Sequence, residues 1–175
     1  MNFDFTDEQR TIKATSRELL AERSPFERVR AAAEAGRYDD ALWRELCELG
    51  WPGIAIAEQL GGQGLGSVEL AVLLEELGYA VAATPLLGSA LAALAIEHAG
   101  TDEQHARWLP GLASGELTGA LGGVRDLIAD APGASVIVLV EAGVPRVVAR
   151  EDADVEPVDA IDATQIGRAS CRERV

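Results

Sequence analysis

A chain of 175 residues holds one ordinary domain, or one domain and the start of another. Apolar residues make up 48% of it, enough to build a core, which excludes wholesale disorder. The formal charge of −14 is the opposite of the clustered lysine and arginine that replace phosphate counterions. Neither nucleic acid nor an anionic membrane surface is therefore an expected partner.

The first segment, residues 4–23, reads as a helix. Thr6 is a good N-cap, Asp7 and Glu8 suit the positive end of the helix dipole, and Ile12, Leu19 and Leu20 form an apolar stripe. Ser24-Pro25 ends it, and a second helix over Pro25–Ala35 stops at Gly36. A third runs from about Asp39 to Leu49, capped by Asp39 or Asp40, with Ala41, Leu42, Leu46 and Leu49 at helical spacing and Gly50 as the stop. Trp51–Gly66, rich in Gly and Pro, is a loop. Ser67 is the expected cap of a fourth helix through Tyr79, where Leu70, Leu73, Leu74, Leu77 and Val81 make one face. Glu75 and Glu76 read there as solvated charge.

Ala80–Ile96 carries no charged residue, but it contains Thr84-Pro85 and Gly88-Ser89 and lacks basic anchors. It predicts a fifth helix over Pro85–Ala99, buried among other helices rather than in a bilayer. A sixth starts at Thr101, with Asp102 and Glu103 in its first turn and Trp108-Leu109 on its inner side. After Glu116 the pattern changes to short β-branched runs, Leu117–Leu121, Ser135–Glu141 and Val144–Arg150, separated by turns. The expected organisation is a helical domain over 1–116 and the start of a β domain over 117–165.

The last ten residues, Ile166–Val175, shift to a basic composition with three Arg and one Glu. The string resembles the translation of a common sequencing adapter. It is read as an artefactual tail, with the reading frame cut near Thr164. Cys171 falls in that tail. Cys47, on an apolar helical stripe, reads as a packed thiol in a reduced, cytoplasmic protein. Met1–Arg10 carries Asp4, Asp7 and Glu8 where a secretory leader would need positive charge.

Few residues suggest chemistry. Gly61-Gly62-Gln63-Gly64-Leu65-Gly66 precedes a helix, but its register is not that of a dinucleotide loop and no strand precedes it. A tight connection using left-handed glycines is the expectation. His98 and His105 lie seven apart with Gly100 between them and no third ligand type nearby, so they read as surface histidines and no metal is expected. No Ser–His–Asp arrangement stands out.

The order of the pieces is more informative. Phe5-Thr6-Asp7-Glu8-Gln9-Arg10, the Leu-Gly-Trp-Pro-Gly-Ile and Gln-Leu-Gly-Gly-Gln-Gly segments within Trp43–Gly64, Glu75-Glu76-Leu77-Gly78-Tyr79-Ala80, and Ala99–Gln104 with Trp108-Leu109-Pro110 and Ser114-Gly115-Glu116-Leu117 recur in one sequence. In that order they resemble the acyl-CoA dehydrogenase family across residues 3–120. The resemblance implies a mainly α fold: a six-helix N-terminal domain followed by a truncated, incomplete antiparallel β domain. It implies FAD as cofactor, an acyl-CoA thioester as substrate, and α,β-desaturation in which a carboxylate takes the α-proton and the flavin takes the hydride. The family's base usually comes from a C-terminal bundle, so no catalytic residue is assigned in this chain, which is expected to be inactive alone.

The same resemblance places Thr84, Leu87 and Gly88 at the acyl pocket, where their apolar setting suits a hydrocarbon and equally suits core packing. It places Leu121 and Gly123 beside the flavin, although Leu121-Gly122-Gly123-Val124-Arg125-Asp126 does not match the family's flavin-contacting Thr. Implied partners are an electron-transfer flavoprotein or similar acceptor and further subunits in a homo- or hetero-oligomer, in fatty acid or sterol catabolism. Two other readings stand beside the enzyme. One is a non-catalytic subunit that completes a neighbour's flavin site, and the other is a helical interaction domain unrelated to flavin.

Overall fold

The computed structural model describes residues 4–124 and 126–158, and the backbone of a strand at 169–173. Six helices come first. Helix α1 spans Asp7–Arg23 and opens with a reciprocal capping box, in which the Thr6 hydroxyl accepts from the Gln9 N–H and the Gln9 side chain accepts from the Thr6 N–H. Helix α2 (Phe26–Ala35) starts one residue later than the sequence suggests, with Pro25 as its extended N-cap, and ends at left-handed Gly36. In α3 (Asp40–Glu48) the Asp39 carboxylate accepts from the Leu42 N–H, 3.0 Å away.

Helix α4 (Ser67–Tyr79) corrects the expected cap. Gly66, not Ser67, is the N-cap residue, and the Glu69 carboxylate folds back to accept the Gly66 N–H at 2.9 Å. Helices α5 (Leu86–Ala99) and α6 (Asp102–Ser114) follow, the second with a capping box from Thr101 and Gln104. Most of the uncharged Ala80–Ile96 run lies in helix α5. Its Leu86, Ala92, Ala93 and Ile96 are fully enclosed, packed on α6 on one side and on the first strand on another. Among the described residues no helix is long and apolar enough to cross a membrane.

The strands form two small sheets. One orders β1 (Gly119–Gly123), β3 (Val136–Glu141) and β4 (Val144–Ala149); the other orders β2 (Leu127–Ile128), β6 (Ala169–Glu173) and β5 (Ala153–Pro157). The β3–β4 hairpin turns on left-handed Ala142 and Gly143, which match the twist of the flanking strands. The β1–β3 pair is parallel, because the chain runs back through β2 and the 129–135 turn before β3 begins, whereas the other pairs are antiparallel. The two-residue β2 and the polar β5 carry too little alternation to be visible in the sequence. Strand β6 lies inside the basic tail. The point near Thr164, and residues 166–168 and 174–175 of that tail, lie outside the described residues.

Three clusters fill the interior. Leu20, Leu42, Leu46, Leu70, Leu73 and Leu86 join α1, α3, α4 and α5; Ile96, Trp108, Leu109, Leu112, Val136 and Val138 join α5, α6 and the first sheet; Ile128, Ile137 and Val148 lie within the β region. The glycine-rich segment makes the tight connection expected of it, with Gly61 at φ 89° and Gly64 at φ 66°. Two of its backbone bonds, Gly62 N–H to Ala57 O at 3.2 Å and Gly64 N–H to Ile56 O at 2.8 Å, fold it onto the core.

Glu75 and Glu76 separate. Glu75 is exposed, as the sequence suggests, but the Glu76 side chain is 1% exposed, which overturns its reading as solvated charge. It accepts from the Arg17 guanidinium at 2.7 and 3.0 Å and pairs with the Lys13 ammonium at 2.8 Å. Adjacent residues on a helix point about 100° apart, so only one of the two shares the face that meets α1.

Candidate acyl slot at the α4–α5 connection

A cavity of about 350 Å³ lies where α4 hands over to α5. Helix α4 contributes Leu74, Leu77 and Gly78; the connection contributes Val81, Ala82 and Thr84; α5 contributes Leu86 and Leu87. Tyr38, just before α3, and Ala129 and Asp130, from the turn after β2, complete the wall. Its lining is mainly hydrocarbon, with three polar side chains at fixed points.

The local backbone is unusual. Helix α4 ends with the Ala82 N–H donating to Leu77 O at 3.0 Å, which puts Val81 in the left-handed position that glycine normally takes. At φ 50° a β-branched residue costs on the order of 1 kcal/mol. Asp130 is also left-handed, at φ 67°. Among the described residues three non-glycine residues have positive φ, and two of them line this one cavity. Backbone strain of this sort concentrates at functional sites, where the surrounding structure holds it in place.

Tyr38 is held by its neighbour. The Asp39 N–H donates to Ala83 O at 3.0 Å, and the Asp39 carboxylate pairs with Arg28 at 2.7 Å. The Tyr38 hydroxyl donates to the Asp130 carboxylate, which also accepts the Gly88 N–H in the first turn of α5. Gly88 leaves no room for a side chain: a Cβ there would sit 2.5 Å from the Asp130 carboxylate and 2.8 Å from Gly119 O. Burial raises the Asp130 carboxyl above its ordinary value, against the lowering effect of these hydrogen bonds. Burial, and then the Asp130 charge, raises the Tyr38 phenol as well.

Of the residues expected at an acyl pocket, Thr84 and Leu87 line the cavity and Gly88 backs it through Asp130. Leu121 and Gly123 lie on β1, away from it. Leu121 packs against the cluster of Trp108, Val136 and Val138, and the Asp126 carboxylate crowds the space above Gly123. Tyr38 and Asp130 went unrecognised in the sequence because 92 positions separate them and neither belongs to a motif. Elsewhere, Cys47 is half-buried and its thiol is pushed up to about 11 by burial and then by Glu48. His98 is exposed, but His105 is half-buried, its Nε2 2.9 Å from Ile96 O at the end of α5, so it is not a free surface group. Among the described residues no group of His, Cys, Asp or Glu has the makings of a metal site.

Residues 6–116 match the model of the acyl-CoA dehydrogenase N-terminal domain. This chain belongs to the acyl-CoA dehydrogenase family. It is 36% identical over 139 residues to the acyl-CoA dehydrogenase IpdE2 of Mycobacterium tuberculosis, an alignment covering 78% of this chain and 43% of that protein. The chain thus spans less than half the length of the curated relatives it matches. Among solved structures, a Tcur3481-Tcur3483 steroid ACAD variant superposes with a TM-score of 0.80 at 26% identity, over 96% of this chain and 56% of that one. The Bacillus anthracis acyl-CoA dehydrogenase complexed with FAD shares the fold, with a TM-score of 0.78 at 18% identity over 98% of this chain and 36% of that one.

Family members bind FAD, so the donor set at β1 is the relevant test. Leu121 and Gly123 provide apolar and backbone surface only, and the Asp126 carboxylate that crowds Gly123 is an anion. A flavin and its pyrophosphate take hydrogen bonds from donors, and neither Leu121 nor Gly123 has a side-chain donor. They do not by themselves fit the cofactor.

Proposed function

We propose that this chain is the substrate-binding front of an FAD-dependent acyl-CoA dehydrogenase that desaturates an acyl-CoA thioester between its α and β carbons. The cavity at the α4–α5 connection carries the reading, since all its lining residues but Ala129 and Asp130 belong to the stretch that matches the family and its wall is mainly hydrocarbon. An apolar slot of this kind holds an acyl chain by burying its methylenes, about 0.8 kcal/mol each. The proposed organisation is a helical unit over 1–116, the start of a β unit over 117–165, and an extraneous tail over 166–175. The flavin and the carboxylate base would come from parts of the assembly outside the described residues, and electrons would leave to an electron-transfer flavoprotein or similar acceptor in the cytoplasm.

One observation favours a second reading, a subunit that does no chemistry itself and completes a homologous partner's flavin site in a hetero-oligomer. The absence of donor side chains at Leu121 and Gly123 is what such a subunit would tolerate. The test is turnover by the full-length gene product, purified with any co-encoded homologous subunit. Medium-chain acyl-CoA and an artificial electron acceptor should give the enoyl-CoA, and the 175-residue chain alone should give none. Desaturation by the short chain alone would contradict the proposal, as would none by the full assembly.

A further inference from the structure

Tyr38 and Asp130 are out of place in a slot that only has to hold hydrocarbon. A buried carboxylate costs free energy unless something uses it. Here it is retained at a left-handed backbone position, against a glycine that admits no side chain, with a tyrosine hydroxyl brought from 92 residues away. Exposure runs in one direction through the cavity. Val81 and Leu87, 49% and 52% exposed, form its mouth, whereas Leu86 and Leu77 are buried and Asp130 is 9% exposed. A chain that enters at the mouth therefore meets Asp130 with its far end.

From this arrangement we infer that Asp130, positioned by Tyr38 and Gly88, is a specificity residue that selects acyl chains bearing a hydroxyl at the end remote from the thioester. A carboxylate has more lone pairs than Tyr38 and Gly88 fill, so a remaining one accepts the hydroxyl proton in a hydrogen bond, and a plain hydrocarbon of the same length covers it without a donor. A site built around a buried acceptor discriminates strongly against the analogue that lacks the donor. A purely structural role, with Asp130 as a long-range cap on α5 and a tie to the α2–α3 loop, would account for the Gly88 and Tyr38 hydrogen bonds. It would not account for the carboxylate lining a cavity next to a second strained residue, Val81.

The inference rests on the proposed acyl-CoA function and is tested in the same full-length assembly. Matched pairs of six to ten carbons, such as octanoyl-CoA and 8-hydroxyoctanoyl-CoA, are compared by kcat/KM and by calorimetric Kd. The expected result is a preference of about tenfold or more for the hydroxylated member at the best-accepted length. Asp130→Gly, which suits the left-handed backbone, should bring the ratio to about one. Should that variant fail to fold, Asp130→Asn, which tolerates the same backbone and keeps a neutral acceptor, should lower the ratio several-fold. Equal efficiency on both members in the unaltered protein, or a ratio unchanged in the variants, overturns the inference and leaves the acyl-CoA reading standing. Failure to bind or turn over either member of any pair overturns both.

Discussion

Glu76→Gln is expected to destabilise the fold by about 2 kcal/mol. The carboxylate is enclosed between α1 and α4 and takes two hydrogen bonds from Arg17 and an ion pair from Lys13. Removing one partner of a fully buried pair costs roughly 3–5 kcal/mol. Arg17 and Lys13 keep side-chain exposures of 50% and 26%, so their freed charges reach water and the cost falls below that range. Glu75→Gln, on an exposed neighbour, should change stability by less than about 0.5 kcal/mol. Urea unfolding followed by circular dichroism measures both, and equal effects of the two variants would contradict the assignment. The pH dependence has a fixed sign. The Arg17 hydrogen bonds hold the Glu76 carboxyl below its ordinary value, so its contribution is complete above pH 4.5 and is lost as pH falls through the lower folded-state value. The unaltered protein should therefore lose more stability than Glu76→Gln on acidification below pH 4.5.

A second large effect is expected from one methyl group. Gly62→Ala would place a Cβ 2.0 Å from Ile56 O and 2.5 Å from its carbonyl carbon. The obstacle is backbone, which has no rotamer to escape into, and Ile56 is itself 2% exposed beside Trp108 and Leu109. The 51–66 loop must lift from the core or the hydrogen bonds at Ala57 and Ile56 must break. Overpacking of this severity costs about 3 kcal/mol, the upper part of the usual range. Gly36→Ala is the control: its added methyl meets nothing within 4 Å, and only the strain of its left-handed φ of 60° remains, about 1 kcal/mol. A Gly62→Ala midpoint no lower than that of Gly36→Ala would show that the loop is not pinned in this way.

The helices were readable because capping and periodicity act over a few residues. Thr6 and Thr101 cap their helices and Asp39 rather than Asp40 caps α3; Leu42 and Leu46 of α3 and Leu70, Leu73 and Leu77 of α4 face the core, whereas Ala41 and Leu49, expected on the same α3 stripe, are exposed. Errors arose where a side chain's partner, near or distant in the chain, decided the outcome. Ser67 lost the capping position because Glu69 reaches back to Gly66, and Glu76 is buried because Lys13 and Arg17, four apart on α1, present a cationic face to it. That four-residue spacing opposite an acidic pair was the available signal. Strands β2 and β5 escaped notice because pairing, not alternation, makes them strands.

The slot was legible only in part. Thr84 and Leu87 were placed by likeness to a family, and they line the cavity beside a turn where Val81, expected to continue the buried face of α4, is instead left-handed and exposed. The Tyr38–Asp130 pair depends on how the 129–135 turn folds back over α5, a contact between units far apart in the chain. Leu121 and Gly123 followed a motif that this sequence matches poorly, and they lie on a strand whose side chains serve the core.

The claim on which the rest depends is that the α4–α5 cavity receives the acyl chain. Calorimetric binding of octanoyl-CoA to the full-length protein with Ala82→Phe tests it most directly, since Ala82 is half-buried on the cavity wall and an aromatic ring there occupies the space. Binding should weaken about tenfold or more, with the thermal midpoint shifted by only a few degrees. A folded variant that binds octanoyl-CoA as tightly as the unaltered protein would mean that the chain lies elsewhere.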